Sequence, residues 1–309
     1  VTSLRIVFAG TPAAAVPSLE RLAATGHDIV AVVTRPDAPL GRKRALTPSP
    51  VAQAAERLGL PVIRAARLDA EATTAITALA PDLGVIVAYG GLVREPLLSA
   101  PANGWINLHF SLLPAWRGAA PVQHSLIAGD AEIGAAVFRL VPELDAGDVY
   151  GELRRPADEV STAGEVLEQL AHEGGVLLAE VVDAIGAGTA RATPQSGEPS
   201  FAPKLTIHDG RLDWTAPAHE VLARYRGVTP EPGAWTTVGG DRVKVLEARP
   251  ADGVGEPLRP GELRVERRRV LAGTATDPVE LVRVQPAGKA AMAAADWGRG
   301  LPAGSRELG

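Results

Sequence analysis

The chain has 309 residues, 46% of them hydrophobic and 22% charged, and a formal net charge of −5. Such a length exceeds one small core and predicts two domains, while the mild acidity excludes a globally basic nucleic-acid binder, so any contact with nucleic acid has to be local. The absence of cysteine excludes disulfides, thiolate nucleophiles and Cys-based zinc or iron–sulfur sites.

Val1–Phe8 lead straight into a strand pattern with no apolar leader, and nowhere do 18 apolar residues follow one another. A soluble, cytoplasmic chain with no membrane segment is the expectation. Short β-rich runs then alternate with helical patterns up to about residue 200, the signature of an α/β fold with a mainly parallel, Rossmann-like sheet. Strands are predicted at Arg5–Ala9, Ile29–Thr34, Val62–Arg64, Gly84–Tyr89 and Trp105–Phe110. Between them, Val16, Leu19, Leu22 and Ala23 share one helical face, as do Val51, Ala54, Ala55 and Leu58. Further strands follow at Ala135–Val141 and Val149–Leu153, and then a long capped helix at Ser161–Ile185. Gly10-Thr11-Pro12 lacks the full Gly-x-Gly-x-x-Gly fingerprint, so a nicotinamide dinucleotide has little support.

Between Gly186 and Pro203 the composition shifts to Gly, Ala, Thr, Pro and Ser, as in an exposed linker. Beyond it, alternating runs such as Arg242–Leu246, Glu262–Val265 and Val279–Val284 predict a small OB-like β-barrel. The predicted domains are therefore 1–189 and 207–309, with a linker over 190–206. Residues 205–309 carry 15 of the 31 Lys and Arg against 14 of the 36 acidic residues, a net +1 where the rest of the chain carries −6. This less acidic half, with its run Arg267-Arg268-Arg269, can face a polyanion.

The densest chemistry lies at Ile106-Asn107-Leu108-His109-Phe110-Ser111-Leu112-Leu113-Pro114, followed by Trp116-Arg117-Gly118 and later by Leu144-Asp145-Ala146-Gly147-Asp148. Alternate side chains of an extended strand share a side. Asn107 and His109 therefore converge where the strand gives way to a loop, and Leu108 packs behind them. Acyl transfer needs a donor for the oxygen of its tetrahedral intermediate and a group that moves a proton. Asn107 can be that donor, and Asp145 can hold the His109 imidazole in one tautomer and favour its protonated form. His27, His124, His172, His208 and His219 lack a comparable partner at strand spacing and read as structural or solvated.

Asn107, His109, the loop Ser111–Gly118 and Asp145 together resemble the folate-dependent formyltransferases. The resemblance implies transfer of a formyl group from 10-formyltetrahydrofolate, a co-substrate, to a primary amine, with no metal. Asn107 and His109 would stabilise the oxyanion and Asp145 would tune His109. The folate pocket would be lined by Tyr89, Gly90 and Leu92 and by Ser111, Leu112, Leu113 and Pro114.

The acceptor has to be read outside that core. Arg35–Pro50 is basic and far longer than the roughly 2–6 residues usual between a strand and a helix. With its Gly41-Arg42 pair and Pro48-Ser49-Pro50, it is similar to the basic insertion of the formyltransferases that act on methionyl-tRNA. Ala202-Pro203-Lys204-Leu205, Asp213-Trp214 and Gln285-Pro286-Ala287-Gly288-Lys289 with Met292 extend the likeness. It implies methionyl initiator tRNA as partner, with Arg42, Lys43 and Arg44 at its acceptor-stem end, and Lys204 and Lys289 as further tRNA contacts. A monomer is expected. Two other readings are a formyltransferase of nucleotide-sugar amines, which needs neither insertion nor barrel, and a noncatalytic RNA-binding module, against which the intact Asn–His–Asp set speaks.

Overall fold

The computed structural model describes residues 2–40, 45–252, 257–302 and 306–309. Two compact units divide the chain. The first comprises Val1–Pro121, Glu132–Arg155 and Leu167–Ala202, and the second Val122–Ala131, Pro156–Val166 and Pro203–Gly309. The second thus takes two segments from within the span of the first, and the Gly- and Pro-rich stretch up to Ala202 belongs with the first.

The elements begin with β1 (Arg5–Gly10), α1 (Val16–Ala23), β2 (Asp28–Thr34), the short β3 (Ala38–Leu40) and β4 (Ala45–Thr47), and α2 (Pro50–Arg57). Next come β5 (Val62–Arg64), α3 (Ala70–Ala78), β6 (Leu83–Val87), β7 (Trp105–His109), β8 (Arg117–Gly118) and α4 (Pro121–Ala128). β9 (Glu132–Arg139), β10 (Val149–Pro156), α5 (Ala163–Gly186) and β11 (Phe201–Ala202) follow. Seven strands form one sheet in the order β10-β9-β7-β6-β1-β2-β5. β1, β2, β5, β6 and β7 run parallel, and β9 lies antiparallel against β7.

The central strands are buried on both faces, which is why β6 reads as the unbroken apolar run Leu-Gly-Val-Ile-Val. Gly84 within it lies flat against the Trp105 indole, where any Cβ would overlap the ring. Trp105 is 1% exposed and donates its Nε1 hydrogen to Leu97 O at 2.8 Å, so its one polar atom is satisfied inside the core. Around it pack Val7, Ala31, Val33, Ile76, Tyr89 and Leu97. α2 starts at Ser49, whose Oγ accepts from Ala52 N at 3.0 Å, with Pro50 at the first helical position. The same Oγ pairs with Thr34 Oγ1 at 2.7 Å, tying the start of α2 to the end of β2. The long loop between them contains an antiparallel pairing of β3 with β4. Gly41–Arg44 lie outside the described residues, and with them the tRNA contacts expected of Arg42, Lys43 and Arg44.

The second unit adds α6 (Ala218–Gly227), β12 (Trp235–Val238), β13 (Asp241–Pro250), β14 (Leu263–Val265), β15 (Val270–Ala272), β16 (Val279–Pro286), β17 (Met292–Ala293) and α7 (Ala294–Arg299). Its antiparallel sheet has the order β12-β13-β16-β15-β14, with β17 on β16. The sheet curls, and residues 306–309 link its two edges: Leu308 bridges Val238, and Glu307 bridges Glu262. Inside lie Trp214, Tyr225, Val243, Val245, Leu281 and Trp297. The alternating runs named for this half foretell β13, β14 and β16, and leave out β12, β15 and β17 and the two short helices α6 and α7. Among the described residues no helix is long and apolar enough to cross a membrane.

Candidate active site

In an open parallel sheet, ligands bind beyond the carboxyl ends of the strands. His109 is the last residue of β7 and is 5% exposed. Two residues earlier on the same strand stands Asn107, and Leu108 between them points the other way, 3.1 Å from where a Cβ at Gly174 of α5 would stand. Asn107 Oδ1 is buried without a hydrogen-bond partner, one of three such side-chain atoms among the described residues, with Ser18 Oγ and Arg226 Nε. A buried polar group left unpaired costs about 1–3 kcal/mol, a cost that a bound ligand can remove.

Two loops fix the imidazole. His109 Nε2 lies 2.9 Å from Trp116 O, and because a carbonyl only accepts, Nε2 carries the hydrogen. Nδ1 faces Asp145 Oδ2 at 3.8 Å, an ion-pair rather than a hydrogen-bond distance. The Phe138 ring meets the imidazole edge-on, with centroids 6.3 Å apart. Burial pushes the His109 pKa below its ordinary 6.5, opposed by the Asp145 charge and by the bond to Trp116 O. At neutral pH the ring is therefore uncharged, with an open lone pair on Nδ1.

Asp145, on the loop between β9 and β10, is 9% exposed and accepts from Gly118 N at 2.8 Å. Asp145 and Trp116 both adopt the left-handed region, with φ of 47° and 61°, so each contact to His109 comes from a loop in an unusual backbone state. A segment from the stretch read as a linker braces both loops. Gln195 Nε2 donates to Asp145 O and to Gly147 O, each at 2.8 Å, and its Oε1 accepts from Arg117 Nε and Nη2 at 3.2 and 2.5 Å. Ser200 Oγ accepts from Trp116 N at 2.9 Å, and β11 pairs with β8. Gly118 (φ 128°) makes that pairing possible, since a Cβ there would stand 2.7 Å from Ala202 O. Residue types alone missed Trp116, Gly118 and Gln195, because two act through backbone atoms and the third reaches across 50 residues of chain.

The residues expected to line a folate pocket divide into two sets. Gly90 (φ 76°) and Leu92, 66% exposed, follow β6, the parallel neighbour of β7. Tyr89 departs from expectation: Ala88 has φ 47°, the strand ends at Val87, and the ring turns into the core with its hydroxyl donating to Ala65 O at 2.8 Å. Its side chain is thereby withdrawn from ligand contact. After β7, Ser111 is buried and donates to Ala115 O at 2.6 Å, while Leu113 packs on Ala136, Phe138 and Val149. Leu112 is half-buried and Pro114 buried. Ser111, Leu113 and Pro114 shape the loop, and Leu112 is the most accessible of the four.

In the second unit Lys204 and Lys289 are exposed. Lys289 sits in the turn before β17, whose Ala287 N donates to Arg242 O at 3.0 Å. The Arg242 guanidinium lies 4.3 Å from the centre of the Trp235 ring, and Lys244 stands next on the same side of β13. Of the run Arg267-Arg268-Arg269, Arg269 is held by Glu266 at 2.7 Å and serves the structure.

The formyl transferase family model matches residues 4–182, and the model of the formyl transferase C-terminal domain matches residues 204–302. The methionyl-tRNA formyltransferase of Leifsonia xyli subsp. xyli is 65% identical over 298 residues, 96% of this chain and 97% of its own; that of Clavibacter sepedonicus is 62% identical over the same shares. Among solved structures, the N-formyltransferase of Helicobacter canadensis in complex with folinic acid and dTDP-3-aminofucose superposes with a TM-score of 0.69 at 15% identity, over 92% of this chain and 99% of that one. HypX of Aquifex aeolicus in complex with tetrahydrofolic acid gives 0.63 at 19%, over 99% of this chain and 49% of that one. These two likenesses establish the fold. The matches over both units, and relatives of such identity along nearly the whole length, establish that the chain belongs to the formyl transferase family, among the methionyl-tRNA formyltransferases.

Proposed function

We propose that this chain transfers the formyl group of 10-formyltetrahydrofolate to the α-amino group of methionyl initiator tRNA, for translation initiation. The observation that carries the reading is the buried cluster at the end of β7: a neutral His109 with its Nδ1 open beside Asp145, and Asn107, whose unpaired Oδ1 can accept a hydrogen from the attacking amine. This is what an amine attacking a formyl carbon requires. The amine nitrogen bonds to that carbon, and the oxygen gains charge and accepts a hydrogen bond from Asn107 Nδ2. His109 Nδ1 takes the proton that the nitrogen loses, and Asp145 stabilises the imidazolium so formed. The C–N bond to the folate nitrogen then breaks, that nitrogen receives the proton, and formyl-methionyl tRNA and tetrahydrofolate leave.

Gly90, Leu92 and Leu112 contact the folate. The acceptor end of the tRNA meets Arg42, Lys43 and Arg44, with phosphate contacts from Lys43 and Arg44 and hydrogen bonds to base edges from Arg42. The curled C-terminal sheet acts as an OB-like barrel that presents Lys204, Lys289, Arg242 and Lys244 to the helical part of the tRNA. The 65% identity to a methionyl-tRNA formyltransferase across both units supports this acceptor over an amino sugar.

The test is Asn107→Ala. Loss of one oxyanion donor lowers kcat by about 10²–10³-fold, with KM for 10-formyltetrahydrofolate within a few-fold of the parent. Comparable turnover in variant and parent removes Asn107 from the chemistry.

A further inference from the structure

Both contacts that orient His109 come from backbone in the left-handed region: Trp116 supplies the carbonyl and Asp145 the carboxylate. Neither residue is a glycine, and such backbone persists where its surroundings over-determine it. Ser200 Oγ and the β11–β8 pairing hold the Trp116 side, and Gln195 ties that loop to the Asp145 loop. The Gln195 amide is fully used, with one hydrogen to Asp145 O, one to Gly147 O, and its oxygen to the Arg117 guanidinium. Arg117 lies between Trp116 and Gly118, the residue whose N–H holds the Asp145 carboxylate. Gly147 passes so close to Arg139 O that no side chain fits there, so the Asp145 loop is clamped on its other flank as well.

We propose that Gln195 is a positioning residue for formyl transfer, holding the Trp116–Gly118 loop and the Asp145–Gly147 loop at the separation that sets the attitude of the His109 ring. The inference rests on the reading of His109 and Asp145 as the working pair. Gln195 touches no reacting atom; its effect passes through the two loops. A carboxylate at this position would still accept from Arg117 but could not donate to the carbonyls of Asp145 and Gly147, whereas an apolar side chain would lose all four bonds.

Gln195→Leu and Gln195→Glu are compared with the parent as full-length enzyme. Both are expected to lower kcat by about 10–100-fold, the loss that a displacement of about 1 Å near a reacting group causes. KM for 10-formyltetrahydrofolate and for the tRNA stays within two- to three-fold. Because the Asp145 charge supports the protonated ring, a displaced Asp145 moves the His109 titration to lower pH, read by NMR independently of turnover. Parental kcat in both variants, or a fall in kcat with an unmoved His109 titration, overturns the proposal. Glu near parent with Leu impaired also overturns it, since Arg117 alone would then account for the effect. His109→Asn and Asp145→Asn run in parallel separate the two levels. If they remain active, the working pair itself is wrong; if they fail while the Gln195 variants do not, only the brace is wrong.

Discussion

His109 is subject to opposing forces, and their balance has a measurable sign. Burial lowers its pKa below 6.5, while Asp145 and Trp116 O pull it back up. A base that works in its neutral form gives an acid limb in kcat/KM at its own pKa, so the limb falls below pH 6.5. Asp145→Asn removes an upward pull: the limb moves to still lower pH, and kcat drops by about 10²-fold or more as the imidazolium loses its stabilising charge. A limb that moves upward or stays in place contradicts the roles given to this pair. The same depression links to stability. The unfolded ring binds a proton more readily than the folded one, so the His109 contribution is intact above pH 6.5 and is lost as pH falls below it. At this scale the sequence revealed Asn107 and His109 through strand spacing, and Asp145 through the family pattern. It concealed the Trp116 carbonyl and the Gly118 N–H, since a backbone group leaves no signature in residue type. Tyr89 misled for a related reason: the resemblance places its segment at the pocket, but the left-handed Ala88 ends the strand and the ring turns into the core.

The site inherits its precision from the elements beneath it. β7 is held between β6 and β9, and Trp105 at its start anchors the strand in the core over Gly84. Gly84→Ala forces the new methyl into the indole, so unfolding in urea should show a loss of about 1–3 kcal/mol, the usual cost of overpacking a core. An unchanged midpoint would mean that Trp105 is free to move aside. Strands and helices of the first unit were legible because apolar runs, alternation and caps such as Ser49-Pro50 are local signals. Illegible were β8 and β11, two residues each, joined across 84 positions. The composition of 190–202 suits a connection, yet its Gln195 and Ser200 brace the site. Turn-forming residues permit an exposed path, and it is long-range pairing, invisible to composition, that decides what the path touches.

At the scale of the whole molecule, the two units divide the work by what they present rather than by net charge. The first carries the buried pair; the second presents Lys204, Arg242, Lys244 and Lys289 at its surface. Binding a polyanion through such residues is salt-dependent, with a slope that counts phosphate contacts. Formyl transfer itself draws little on distant charge, because the chemistry is shielded at the end of β7. The central claim is that this cluster formylates the amine of methionyl initiator tRNA. The purified enzyme is given 10-formyltetrahydrofolate with methionyl initiator tRNA, elongator tRNA or an amino-sugar nucleotide, and labelled formyl in each acceptor is counted. The account predicts label in the initiator tRNA alone, abolished by His109→Asn; label in the sugar nucleotide with none in the tRNA contradicts it.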